Sequence, residues 1–326
     1  MKSNRIFFGL SAVIAASVLL SLCAPVTPPV ENPPATDFGP RFTVFVATNG
    51  SDANFGTNKN APVKSISNAI AKASSLGFTN IYIGAGVYTP GNGIKSAPYG
   101  VEISVNNIHL VGGWNTAYSA VSGYSTFDGN NQTYTNFMYI HNANNITLKN
   151  LDFNSIQSIS LYSGINLDKL SSVEVSNCVL SDISSSSSRV FMIQYLTNAS
   201  ISYCSVFNIF SVDTVITITG CYNTSFSKNS ISNCNSSGFN YLLHMSAGSS
   251  NMIINSNIIC GTNNSISAIA IASGVINHKL IGNVFVDNWL GYLYRYSTTP
   301  TNNIAAVNST AFTKASVASG NTITNF

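Results

Sequence analysis

Ionised side chains are scarce in this chain. Asp, Glu, Lys and Arg make up 8% of its 326 residues, against about 25% in a typical soluble protein. The net charge is +3, and without Lys2 and Arg5, which we expect to be removed with a leader, 12 basic residues face 11 acidic ones. A nearly neutral chain does not produce the positive electrostatic potential that attracts nucleic acids, so the sequence predicts no nucleic-acid partner.

The spacings typical of metal sites are also missing. The six cysteines form no CxxC pair and no Cys/His pattern, so we predict neither a metal nor a cofactor. Aromatic residues, at 11%, and β-branched residues are plentiful, which excludes a disordered chain.

Six eight-residue segments repeat along the middle of the chain. They begin at Ile146, Val173, Ala199, Thr224, Met252 and His278, with spacings of 27, 26, 25, 28 and 26. The third and the eighth residue of every segment are apolar. A period of this length, carried by short strands, indicates a β-solenoid that grows by adding rungs.

The sixth residue of each segment interrupts the alternation of apolar and polar side chains. These residues are Leu151, Cys178, Cys204, Asn229, Asn257 and Asn283. We predict a bend there, with asparagine in the left-handed conformation. The asparagines would hydrogen-bond to one another on rungs ~4.8 Å apart. Cys178 and Cys204 share this slot and are expected to be either a disulfide or, as we favour, two reduced buried thiols.

The L-I-G-N-V-F of residues 280–285, with F-S-K-N-S-I and I-N-S-N-I-I before it, resembles the rung pattern of right-handed parallel β-helices of the pectin lyase-like superfamily. The resemblance covers residues 42–326. It implies an all-β fold with three strands per rung, which we place in one domain over residues 41–326, and it says little about activity.

A helix is predicted ahead of the solenoid. Residues 62–76 carry apolar residues at helical spacing and end at Gly77, and an open solenoid end needs such a cap. The preceding N-G-S-D loop resembles the N-terminal cap of exported bacterial β-helix proteins. Asp52, with Asn49 and Asn54, suggests either a turn held by hydrogen bonds, which we favour, or a weak calcium loop.

Strands are predicted over 42–48 and 81–89 and at the third side of each rung. The third-side segments are 164–167, 190–196, 214–219, 241–245, 268–272 and 290–296. An excursion is expected around 114–128, and a last rung is expected around 320–323, after a second long excursion that follows the rung of Asn283.

The N-terminus has the pattern of an export signal. Residues 1–23 combine Lys2 and Arg5 with an apolar run that is too short for a lasting membrane span. The end of this run, up to Cys23, resembles a bacterial lipoprotein signal, although Leu22 stands where a small residue is usual outside looser versions such as those of spirochaetes. The alternative is ordinary cleavage near Ala24. Residues 24–40 are a Pro-rich tether. We therefore expect a lipid anchor at Cys23 on a bacterial outer membrane or cell surface.

Catalytic residues are not apparent. Lyases of the resembling superfamily hold calcium with clustered carboxylates and use an Arg or Lys as base, and hydrolases need two or three carboxylates within ~5–10 Å. No two acids stack on adjacent rungs, and the NTD, DD, GHG and RIK strings of the polygalacturonase branch are absent. Asp152, Asp182 and Arg189 are the best trio available, and we predict no catalytic site.

Aromatic residues are the candidates for ligand binding. Tyr292, Tyr294 and Tyr296 alternate, and so would share one face, unless they fill a widened end rung. Trp114 opens the first excursion. The sequence thus predicts an exported lipoprotein scaffold for adhesion or glycan contact, with a polysaccharide or host-surface ligand. The alternative is a polysaccharide lyase or glycoside hydrolase.

Overall fold

A computed structural model describes residues 42–96, 98–158, 163–186, 189–236, 241–246, 248–261, 267–271, 275, 279–286, 304–307 and 322–325. The chain coils into a right-handed parallel β-helix in which each rung contributes one strand to each of three sheets. The all-β fold predicted from the repeat is confirmed. The leader, the tether and the segment 290–296 lie outside the described residues.

Three parallel sheets form the sides of the helix. Sheet 1 contains β1 (Thr43–Val46), β2 (Asn80–Gly84), β6 (Ile108–Trp114), β10 (Asn144–Lys149), β13 (Ser171–Ser176), β16 (Thr197–Ser202), β19 (Tyr222–Ser227), β22 (Ile253–Asn255) and β25 (Lys279–Ile281). Sheet 2 contains β3 (Gly86–Pro90), β4 (Gly93–Ile94), β7 (Ser125–Asp128), β8 (Thr133–Tyr134), β11 (Leu151–Ser158), β14 (Val179–Ser185), β17 (Ser205–Ser211), β20 (Ser230–Ser236), β23 (Ile258–Gly261), β26 (Val284–Val286), β27 (Ile304–Val307) and β28 (Thr322–Asn325). Sheet 3 contains β5 (Tyr99–Ile103), β9 (Asn136–His141), β12 (Ile165–Asp168), β15 (Phe191–Gln194), β18 (Thr214–Thr219), β21 (Tyr241–Met245) and β24 (Ser267–Ile271).

The apolar positions of the repeat form inward columns. Leu148 pairs with Val175 and then Ile201, and all three side chains are buried. The eighth residues make a second column, in which Phe153 pairs with Leu180. Burying one such side chain contributes about 1.5–3 kcal/mol, so the columns fix the register of the rungs.

The three stacked asparagines lie as predicted. Asn229 Nδ2 donates to Asn257 Oδ1 at 3.1 Å, and Asn257 Nδ2 donates to Asn283 Oδ1 at 2.9 Å. Each amide also bonds the backbone of the rung before or after it, and all three are buried. Cys178 and Cys204 continue the column as free thiols, which confirms the reduced interpretation.

The position of the bend was predicted one residue too late. The left-handed residue is the fifth of each segment: Asn150, Asn177, Tyr203, Lys228, Ser256 and Gly282, with φ between 50° and 60°. Asn229, Asn257 and Asn283 keep negative φ, because the preceding residue makes the turn and leaves the amide pointing inward. Three further columns of left-handed residues lie at the end of sheet 3, at the start of sheet 1 and within the strands of sheet 2. Asn198, Asn223 and Asn251 belong to the column at the start of sheet 1.

Helix α1 (Ile66–Leu76) packs against β1 and β2 at the N-terminal end. The Ser65 hydroxyl caps it by accepting from the Asn68 N–H, and Gly77, at φ 68°, ends it in the left-handed conformation. Its buried face consists of Ile66, Ala69, Ile70 and Ala73, the positions predicted from helical spacing.

Two strand predictions were wrong in detail. The segment 81–89 is not one strand, because the chain turns from sheet 1 into sheet 2 at Ala85. The inward positions shift at this corner, since Ile81 and Ile83 are buried before it, whereas Val87 is exposed and Tyr88 is buried after it. The second predicted excursion contains a strand of the β-helix, since β27 lies between the rung of Asn283 and the last rung and pairs with both β26 and β28. The five described strands on the third side of the repeat agree with prediction within two residues at either end. The first excursion comprises residues 115–124, a shorter range than the predicted 114–128.

Candidate functional site

A cleft of about 540 Å³ lies at the N-terminal end of the β-helix. We call it the cap cleft. Its lining comes from the loop after β1, the corner between β2 and β3, and the excursion after β6, and it includes Asn49, Asn54, Lys59, Asn60, Trp114 and Tyr118. Two segments that the sequence treated separately, the N-G-S-D loop and the first excursion, therefore form one site.

Trp114, a predicted ligand-binding residue, lines this cleft but is only 6% exposed. Its ring stacks on Tyr82 with centroids 4.3 Å apart and an interplanar angle of 20°. The indole N–H is buried and has no hydrogen-bond acceptor in the described part of the chain. Trp114 is thus a wall residue with an unused donor, not an exposed platform.

Tyr118 and Lys59 fasten the excursion over the first strands. The Tyr118 hydroxyl donates to the Val46 carbonyl at 2.5 Å, and its ring packs edge-on against Phe45 at 4.8 Å. Burial raises the pKa of Tyr118 well above its ordinary value. Lys59 Nζ donates to the Ala117 carbonyl at 3.3 Å. No sequence pattern pointed to Tyr118, because the Val46 carbonyl to which it donates lies 72 residues away in the chain.

Asp52 caps the helix region. Its Oδ1 accepts the backbone N–H groups of Lys64 at 3.0 Å and Ser65 at 2.8 Å. Partial burial raises the pKa of Asp52, but the hydrogen bonds from Ser65, Asn68 and Lys64 outweigh it and the net shift is downward. The hydrogen-bonding interpretation is confirmed, although the partners are distant in sequence instead of local.

A second group of interest is the Asp152 carboxyl on the outer side of sheet 2. Burial raises the pKa of Asp152 to about 6; the hydroxyl of Thr126 lowers it, and the charges of Asp128 and Asp182 raise it further. Thr126 Oγ1 donates to Oδ2 at 3.0 Å, and Oδ1 has no partner among the described residues. All three acids lie on strands of sheet 2, and Asp152 and Asp182 are three positions apart on neighbouring rungs, as predicted. No described cluster of His, Cys, Asp and Glu has the arrangement of a metal site.

The trio of Asp152, Asp182 and Arg189 is not assembled. Arg189 Nε donates to Asp213 Oδ2 at 2.9 Å, at the start of sheet 3. Asp182 accepts from Asn208 Nδ2 at 3.3 Å on sheet 2. The guanidinium is held by an ion pair on another sheet, so it is not placed to act with Asp152.

His141 and Glu102 form an ion-pair contact on the outside of sheet 3. His141 Nε2 lies 3.0 Å from Glu102 Oε1, and Nδ1 lies 3.1 Å from Asn142 Nδ2. The imidazole stacks on Tyr139 at 4.2 Å, and Tyr139 stacks on Tyr99 at 6.1 Å. Because both ring nitrogens have partners, this histidine serves as a residue of the outer face of sheet 3.

Exposed aromatic rings mark one corner of the β-helix, between sheets 3 and 1. Tyr195 is 54% exposed and Tyr222, one rung further, 47%. A Cβ added at Gly220 would lie 2.7 Å from the Tyr195 ring, so this ring packs directly on the glycine. Sequence reasoning missed both tyrosines, since only the rung register shows that they lie at one corner.

An amide ladder runs beside these corner tyrosines. Asn223 Nδ2 donates to Asn198 Oδ1 at 3.2 Å, and Asn251 Nδ2 donates to Asn223 Oδ1 at 3.0 Å. These side chains are at the surface, and each amide retains a further N–H and lone pair for a ligand.

Cys23, Tyr292, Tyr294 and Tyr296 lie outside the described residues, so lipidation and the tyrosine platform stay predictions. No helix in the described residues is long and apolar enough to cross a membrane.

Comparison with known proteins supports the fold. The crystal structure of the pectate lyase Pel9A superposes with a TM-score of 0.54 and 14% identity, covering 87% of this chain and 77% of that chain. The chain has a pectate lyase-like β-helix fold. At this identity the likeness shows the fold alone. No protein-family model matches the chain, and no curated protein matches it.

Proposed function

We propose that this chain is an exported, lipid-anchored β-helix scaffold that contacts glycans without cleaving them. The observation that carries the proposal is the corner of Tyr195 and Tyr222 beside the ladder of Asn198, Asn223 and Asn251. Sugars present apolar C–H faces to aromatic rings and hydroxyls to amides, and this corner offers both.

Rigid placement of the corner supports binding. The Tyr195 backbone is held at φ 55°, its N–H donates to the Thr219 carbonyl at 2.8 Å, and its ring rests on Gly220. A ring that is already ordered loses less conformational entropy when a ligand binds. The lipid anchor and the outer-membrane or cell-surface location rest on the signal around Cys23.

A glycan panel with two readouts tests the proposal. Full-length protein is screened for binding on a glycan array, and the same sample is assayed for unsaturated uronates and new reducing ends. We expect binding without product release, and weaker binding by the double variant Tyr195→Ala/Tyr222→Ala. Phe210→Ala, which removes another exposed ring at 45% exposure on sheet 2, is the matched control. Product release would overturn the non-catalytic assignment, and absence of any binding would overturn glycan contact.

One observation favours the alternative of a polysaccharide lyase or hydrolase. A carboxyl with a pKa of about 6, such as Asp152, is suited to general acid–base catalysis. If product release is found, Asp152→Asn distinguishes this site from others, because removal of the acid–base group would lower turnover by about 10²–10⁴-fold.

A further inference from the structure

We infer that the N-terminal end of the β-helix is a membrane-contacting surface that binds a bilayer containing anionic phospholipid. The surface consists of Phe42, Phe55, Lys72, Leu76 and Phe78, and we call it the end patch. Proteins bind such bilayers through apolar side chains that enter the interface and through cations that face the headgroups. The inference goes beyond the glycan-binding corner and does not require that the corner binds a glycan.

The segment 55–63 and helix α1 cover the open edge of the first strand. Phe45 N–H donates to the Gly56 carbonyl at 2.8 Å, and Ala47 N–H donates to the Val63 carbonyl at 3.0 Å, on the side of β1 away from β2. Helix α1 packs against β1 and β2 at the same end. The outer residues of this segment and of α1 therefore face along the axis of the β-helix, away from the rungs.

Three large apolar side chains are exposed at this end. Phe55 is 77% exposed, Phe42 53% and Leu76 45%. The Lys72 ammonium lies 5.6 Å from the centroid of the Phe55 ring, and Leu76 follows Lys72 by one turn of α1. Just beyond the helix, Phe78 packs edge-on against Phe42 with ring centroids 5.9 Å apart. Exposed apolar side chains that cluster in this way mark an interaction surface.

The charge of this end suits an anionic partner. Residues 42–96 and 98–100 contain four lysines and a single acid: Lys59, Lys64, Lys72, Lys95 and Asp52. Lys95 is exposed and directly follows β4, the edge strand of sheet 2 at the N-terminal end. The described residues between 101 and 286 contain five basic residues against seven acidic ones. A chain that is nearly neutral as a whole thus carries its positive charge at the end with the exposed rings.

The position of the end patch favours a bilayer over a second copy of the chain. The expected lipid anchor at Cys23 lies 19 residues before Phe42 in the chain (42 − 23), so an anchored molecule has this end nearest the membrane. A second copy bound through the same patch would bring two positive ends together, which is unfavourable. With the end patch on the bilayer, the corner of Tyr195 stands about 24 Å from the membrane end, five rung spacings of ~4.8 Å.

Vesicle sedimentation with the unacylated chain 24–326 tests the inference. This chain lacks the leader and the lipid, which would bind vesicles by themselves, and it retains every described residue. The vesicles consist of equal parts of phosphatidylcholine and phosphatidylglycerol, or of phosphatidylcholine alone. We expect binding to the mixed vesicles that weakens as salt is added, and weaker binding to phosphatidylcholine alone.

Substitutions in the end patch should weaken binding to the mixed vesicles. Phe55→Ser should weaken it about tenfold, the equivalent of 1.4 kcal/mol, and Lys72→Gln/Lys95→Gln about 25-fold, from about 1 kcal/mol for each lysine near an anionic surface. Phe210→Ser and Lys279→Gln are the matched controls, because both residues are exposed on strands away from the N-terminal end. They should leave binding unchanged, and thermal unfolding checks that every variant folds.

Several outcomes would overturn the inference. These are no binding to the mixed vesicles, equal binding to both kinds of vesicle, or equal losses for the end-patch variants and their controls. A dimer in sedimentation velocity that Phe55→Ser dissociates would assign the end patch to a second copy of the chain instead. If chain 24–326 is more stable than chain 41–326 and Phe55→Ser abolishes the difference, the tether occupies the patch. None of these results bears on glycan binding at the corner tyrosines, which the array measures separately.

Discussion

Replacing Asp152 by asparagine tests whether its burial shapes the pH dependence of stability. The carboxyl has a pKa of about 6 in the folded protein, against about 3.9 in an unfolded chain. This difference of about two pKa units corresponds to about 3 kcal/mol of unfolding free energy, because each unit is worth 1.36 kcal/mol. The folded state therefore retains a proton between pH 4 and 6 that the unfolded state releases, so the unfolding free energy falls as pH rises through this window.

Asparagine removes this charge but introduces a new donor. One amide atom can still accept from Thr126, while the NH₂ group takes the place of Oδ1, which has no partner among the described residues. We estimate that this unpaired donor lowers the unfolding free energy of the variant by about 1 kcal/mol. Asp152→Asn should thus be about 2 kcal/mol more stable than the parent at pH 8 and about 1 kcal/mol less stable at pH 4.

Urea unfolding at pH 4, 5, 6, 7 and 8 measures this change of sign. Glu174→Gln is the matched control, because Glu174 is exposed on β13 of sheet 1; its effect should stay within about 0.5 kcal/mol. A difference between Asp152→Asn and the parent that is the same at every pH would refute the reasoning, since it would show that Asp152 is not desolvated by the fold.

Three further substitutions test the remaining structural claims. Asn257→Ala removes the middle of the buried ladder and several hydrogen bonds worth about 1 kcal/mol each, so urea unfolding should show a loss of about 3–5 kcal/mol. Asn251→Gly in the exposed ladder, where glycine suits the φ of 53°, should cost under about 1 kcal/mol; equal losses would contradict the ladder's role. Asp52→Ala should lower the unfolding free energy by about 1 kcal/mol at pH 7, as for a helix cap. Because the pKa of Asp52 is lowered in the folded protein, this stabilisation is present above about pH 4 and is lost as the pH falls through the lower folded pKa. The stabilities of parent and variant should therefore converge in acid, and a difference that stays constant would contradict the assignment. Ser256→Gly places glycine at a left-handed corner with φ 54° and should raise the unfolding free energy by about 1 kcal/mol, which a lower thermal midpoint would disprove.

Local sequence signals were sufficient for the rungs, the cap helix and the buried asparagine column. Apolar residues recur at fixed places in each segment, and Gly77 and the helical spacing mark α1. The bend was misplaced because Tyr203 and Lys228 occupy left-handed positions that neither residue type favours, so no sequence preference revealed them. The strand β27 was missed although Asn303 directly precedes it in the sequence, as Asn283 directly precedes β26. Asn303 follows Asn283 by 20 residues (303 − 283), which is shorter than the repeat of 25 to 28 residues.

The candidate sites were less accessible to prediction than the fold. Trp114 was identified as an aromatic residue at the start of an excursion, but its burial against Tyr82 and its place in a cleft depend on two segments folding together. The pKa of Asp152 depends first on burial and then on Thr126, Asp128 and Asp182, and the extent of burial of an outer side chain does not follow from its position in the repeat.

The sequence by itself determined that the chain forms a parallel β-helix with an N-terminal cap and few charges, because each rung repeats the same inward residues and stacking identical rungs buries them. The tertiary structure alone decided what lies next to what on the outside. Hydrogen bonds join Lys59 to Ala117, 58 residues apart, and Tyr118 to Val46, 72 residues apart. The outer loops have no repeating sequence, so these contacts form only once the rungs are stacked.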